Sequence, residues 1–121
     1  MSIFSTSIET REVHKNESLR THYYKNNFKD VRKAVEKMVN EEGLQLYDVN
    51  ERFGDILVCG DGFEIIFSVI QINPIETAVD LKVNYFVTIG WNRPLKKAIH
   101  VFEYLDSHLN FKGQMLHPNA A

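Results

Sequence analysis

The side chains able to do acid, base or metal chemistry fall into a few small groups. His100, Tyr104 and His108 follow one another at intervals of four, with Glu103 and Ser107 between them. On a helix that spacing leaves the two histidines two turns apart, about 12 Å along the axis, too far for one chelated metal. His14, His22 and His117 are dispersed along the chain. A single cysteine, Cys59, excludes an intramolecular disulfide and a four-cysteine zinc site. It ends the apolar run Ile56-Leu57-Val58, where a small buried hydrophobe is expected rather than a reactive thiol. Glu64 and Asp80 fall on successive strand patterns and would approach across a sheet, yet no nucleophile and base accompany them. Gly60-Asp61-Gly62 has the glycines of a phosphate loop, but it joins two strand patterns and no helix follows, so it reads as a hairpin turn. No catalytic residue, metal or cofactor is assigned from these patterns. One charged group remains. Asn92, with Arg93, Lys96 and Lys97, opens a helical pattern where free backbone N–H groups would attract an anion, although capping and a solvated basic face explain the same residues. Trp91 beside them reads as a plug for the end of the sheet.

These groups depend on a scaffold centred on Phe63 to Ile89. Val79, Leu81, Val83, Tyr85, Val87 and Ile89 alternate with Ala78, Asp80, Lys82, Asn84, Phe86 and Thr88, the period of a strand with one buried face. A slip of one residue would bury Asp80 and Lys82, so the register is fixed. The preceding strand is apolar on both sides, with Phe63, Ile65, Phe67 and Val69 on one and Ile66, Ile70 and Ile72 on the other. Such a strand lies mid-sheet and lines a covered face, a cleft or an interface. Asn73-Pro74 ends it, because proline donates nothing to a ladder.

Around this pair the remaining elements follow in order. Residues 1–18 are polar and aperiodic, an extended arm with Ile3 and Phe4 as its anchors. Leu19 to Tyr24 alternates with the mixed polarity of an edge strand. Asn26 or Asn27 caps a helix whose stripe is Phe28, Val31, Ala34, Val35, Met38 and Val39, closed by Gly43. Leu44 to Val49 and Asp55 to Cys59 are two shorter strands. A second helix carries Leu95, Ala98, Ile99, Phe102, Leu105 and Leu109 on one stripe. The tail packs back until it frays at 119–121.

The length of 121 residues suits one domain, here 19–118, with a single sizeable core. A net charge of -2 argues against a general phosphate-binding surface. No window approaches the roughly 20 apolar residues of a membrane span, and residues 1–10 lack a signal-peptide pattern, so a cytoplasmic place and no membrane are expected.

The order strand, helix, four strands, helix predicts an α+β two-layer sandwich, an antiparallel sheet with both helices on one face. Over Leu19 to Leu109 that element order resembles the TATA-binding-protein-like architecture. The phrases Arg20-Thr21-His22-Tyr23-Tyr24-Lys25, Ile72-Asn73-Pro74-Ile75-Glu76-Thr77 and Phe111-Lys112-Gly113 through His117-Pro118 resemble those of a family of small cytosolic proteins of Gram-positive bacteria. That resemblance implies no activity, cofactor or site residue.

The face away from the helices then carries Ile66, Ile70, Asp80, Lys82, Asn84 and Phe86. An apolar centre with a few polar groups would bind a protein partner or a second copy of the chain, and the leading expectation is a non-enzymatic, self-associating interaction module. Cover by the arm or tail, and a small apolar ligand in the sheet concavity, are the alternatives. Nucleic-acid binding follows only from the architecture, and Asp80 beside Lys82 argues against it.

Overall fold

The computed structural model describes residues 7–86 and 93–114. In chain order these are β1 (Ser7–Glu9), a 3-10 turn (Glu17–Leu19), β2 (His22–Tyr24), α1 (Phe28–Glu42), β3 (Gln45–Asn50), β4 (Asp55–Gly60), β5 (Phe63–Asn73), β6 (Glu76–Tyr85), α2 (Arg93–His108) and β7 (Phe111–Gly113). The strands form one antiparallel sheet in the order β3-β4-β5-β6-β2-β7, with β1 also on β6. The fold is the expected two-layer α+β sandwich, its core set between the helices and one sheet face. Among the described residues no helix is long and apolar enough to cross a membrane.

The expected meander is β3 to β6. Pairing of Ile65 with Val83 and Phe67 with Leu81 places the two apolar rows side by side under the helices. All four are buried, as are Ile56 and Val58 on β4. In α1 the side chain of Asn27 accepts the Asp30 N–H at 2.9 Å, and the Asp30 carboxylate accepts the Asn27 N–H in return, a capping box. Gly43 ends the helix at φ 67°. In α2 the buried stripe is Pro94, Ala98, Val101, Phe102 and Leu105, turned from the expected one. The helix lies over β6, β1 and the 3-10 turn, and that contact draws Val101 inward while Leu95, Ile99 and Leu109 stay half-buried.

Two strands have no counterpart in the sequence reading. Ser7–Glu9 of the arm pairs with Lys82–Asn84, and β7 pairs with β2. β2 is therefore not an edge strand. It lies between β6 and β7 with all three residues buried. Both β1 and β7 are three residues long, too short to show a period.

Among the described residues one buried side-chain polar atom has no hydrogen-bond partner, the Thr77 hydroxyl on the core side of β6. Burying an unpaired hydroxyl is costly, and valine fills the same β-branched shape without it. Thr77→Val is expected to stabilise the protein by about 1 kcal/mol and raise the melting temperature by about 4 °C. A lower melting temperature in a thermal scan would show that the hydroxyl has a partner.

Candidate functional site

The sheet face away from the helices is built by register. Ile66 pairs with Lys82, Ser68 with Asp80, Glu64 with Asn84 and Ile70 with Ala78, and each pair points away from the core. Leu57 of β4 extends the Ile66 row and Cys59 the Glu64 row. Cys59 is half-buried there rather than in the core, because it is one residue beyond the inward Val58. The face is apolar along β4 and β5, where Leu57 and Ile66 are half-buried and Ile70 is 58% exposed. Phe86 follows the end of β6, 63% exposed, its N–H bonded to the Gly62 carbonyl. Ile66, Ile70, Asp80, Lys82, Asn84 and Phe86 are thus brought onto one surface.

Two polar members of that set have internal partners. Asn84 donates to Glu64 at 2.8 Å. Asp80 accepts the hydroxyls of Thr10 and Thr21, both at 2.7 Å. Those threonines flank the loop by which the arm leaves the sheet after β1 and returns before β2. Thr10 also accepts the Leu81 N–H, while Arg11 bonds Leu19 and Thr21 bonds Arg11 to close the loop's neck. From the loop, Glu12 reaches Tyr23, which points to this same face and is buried. Burial raises the Tyr23 phenol well above its usual range, and the bond to Glu12 adds to the rise. The described part of the arm therefore covers the β2 end of the face, while Ile70 and Phe86 stay exposed.

Glu64 and Asp80 do not form an acid pair. Their partners Asn84 and Ser68 fix them four residues apart along the strands, about 13 Å.

At the other candidate, Asn92 lies outside the described residues. Arg93 stands 5.5 Å from the Tyr85 ring centre and the Lys97 ammonium 4.5 Å from that of Phe63, so both cations rest on aromatic faces. With Lys96 and His100 they line a shallow groove of about 190 Å³. Trp91 also lies outside the described residues. His100 bonds Glu42 at 2.7 Å, and Tyr104 donates to Glu41, tying α2 to α1. Partial burial and the Glu41 bond push the Tyr104 phenol up to about 12. His108 stacks on Tyr104. Among the described residues no three His, Cys, Asp or Glu side chains stand together as metal ligands.

No protein-family model, curated protein or solved structure matches the chain.

A third polar group was not visible in the sequence. His22, 6% exposed, places Nδ1 2.9 Å from Asp106, and the fully buried Tyr24 donates to the same carboxylate oxygen at 2.7 Å. The His22 ring lies flat on Phe102 at 3.6 Å and against Phe111 at 4.8 Å. Burial, then the charge of Asp106 and its bond, drive the Tyr24 phenol far above its usual range. Asp106 is 84 residues from His22, and only β2 meeting α2 brings them together. The histidine is walled in by rings, so the group fastens elements rather than offering a base to a substrate.

A second apolar surface lies at the hairpin end of the sheet. Phe53, Ile70 and Phe28 border a groove of about 310 Å³, and Ile75 at the β5–β6 turn is 70% exposed.

Proposed function

We propose that the protein is a non-enzymatic interaction module that self-associates through the sheet face opposite the helices. The observation that carries this reading is Ile70 and Phe86 standing well exposed on a face whose centre is Leu57 and Ile66. Large apolar side chains grouped on a strand face mark a contact surface, and a second copy offers the same patch in return. The surface charge supports a protein partner over a nucleic acid. By register Asp48, Asp55, Glu64, Asp80 and Glu9 share the face with Lys82, a mostly acidic surround that would repel phosphates.

The test is the mass in solution by light scattering, wild type beside Phe86→Asp and Ile70→Asp. Both side chains are exposed, so neither substitution removes core packing. The wild type is expected as a dimer. Each aspartate puts a charge in the contact and is expected to weaken association at least tenfold, with an unchanged melting profile for the monomer. A monomeric wild type at high concentration would sink the self-association reading.

A further inference from the structure

His22 is where the two ends of the described chain are fastened. Its Nδ1 faces Asp106 of α2. Its Nε2 faces the Gln114 side-chain nitrogen at 3.3 Å, and that nitrogen donates to the Glu17 carbonyl at 2.6 Å. One amide nitrogen just beyond β7 therefore touches both β2 and the 3-10 turn of the arm.

The proton positions follow from these partners. The Glu17 carbonyl only accepts, so the atom facing it is the Gln114 NH2 and not its oxygen. An NH2 facing His22 Nε2 requires a lone pair there. The Asp106 carboxylate, already accepting from Tyr24, requires a proton on Nδ1. His22 is thereby held as the neutral Nδ1–H tautomer. A proton added at Nε2 would set two donors against each other. Turning the amide over gives the new N–H an acceptor, but it then puts the Gln114 oxygen against the Glu17 carbonyl, acceptor on acceptor. A charged His22 and the Gln114–Glu17 bond exclude one another.

We propose that His22 is a proton-operated latch: neutral, it holds β7 to the arm through Gln114, and protonated, it breaks that link while keeping its bond to Asp106. The groups facing the ring are Asp106 from α2 and Tyr24 from β2 itself. Glu17 presents only its carbonyl, its carboxylate being turned to solvent, and Lys112 of β7 is tied to Glu76. The proton is taken from solvent, and no other bond changes.

The test is NMR on the nitrogen-labelled full chain between pH 8 and pH 5. It reads the ring nitrogens of His22 and the exchange protection of β7 amides, corrected for intrinsic rates, in wild type and Gln114→Leu. The expected result is an Nδ1–H tautomer at pH 8, with β7 protection falling roughly three- to tenfold as His22 charges, the effect of one lost hydrogen bond. Gln114→Leu should show the lower protection at both pH values. The proposal is overturned by an Nε2–H tautomer, by His22 staying neutral until the fold is lost, by β7 protection indifferent to His22 charging, or by a wild-type response in Gln114→Leu.

Discussion

Gly54→Ala is expected to destabilise the protein by about 3 kcal/mol and lower the melting temperature by about 10 °C. Gly54 adopts φ 77° in the turn between β3 and β4, a conformation that costs a side chain about 1 to 2 kcal/mol. A Cβ built there would stand 2.0 Å from the Val69 carbonyl oxygen, which is backbone of β5 and has no rotamer by which to move aside. The Gly54 carbonyl also accepts the Val69 N–H at 2.8 Å, so pushing the turn away breaks a bond worth about 1 kcal/mol. Gly43 is the internal control. It has φ 67° with nothing within 4 Å of its Cβ position, so Gly43→Ala is expected to show the conformational cost alone. Urea denaturation of the two variants measures the difference. Equal losses would mean that the close approach of Gly54 to β5 contributes nothing.

The second large effect concerns Asp106→Ala. Its carboxylate is the acceptor for both His22 and Tyr24, and alanine leaves a buried phenol and a buried ring N–H without partners. Each orphaned donor costs about 1 to 3 kcal/mol, so a loss of about 3 kcal/mol is expected in urea denaturation. Asp106→Asn keeps an acceptor oxygen and is expected to lose about 1 kcal/mol. If asparagine proves as damaging as alanine, the charge of Asp106 matters more than its acceptor role. The tyrosine also sets an alkaline limit. Its phenol is held protonated in the fold while the unfolded chain ionises near pH 10, so stability from this group is intact below that pH and falls as pH rises beyond it.

The meander and both helices were legible because each has a period long enough to read. β6 alternates over ten residues, and α1 carries its stripe between Asn27 and Gly43. The same alternation puts Ile66, Ile70, Asp80, Lys82, Asn84 and Phe86 in one row. What it did not disclose was how Asp80 is used. A carboxylate on a polar row looks solvated until Thr10 and Thr21 are brought to it from 70 and 59 residues away. β1 and β7 were hidden for a related reason, since three residues hold no period and their pairing is decided by β6 and β2. The His22–Asp106–Tyr24 group had a local trace only in His22 and Tyr24 at a spacing of two. Its third member is supplied by the helix that crosses above, and no sequence interval predicts that.

The way the sheet is completed also orders the folding of the chain. β3 to β6 join through short turns, so their pairing closes small loops. The bonds that finish the sheet close far larger ones: Thr10 meets Leu81 across 71 residues, His22 meets Asp106 across 84, and Gln114 meets Glu17 across 97. Chain entropy opposes such closures until a platform exists to receive them. The meander is the expected platform, with both extremities of the described chain expected to zip onto β6 and β2 last. By the same reasoning that seam is expected to open before the meander does.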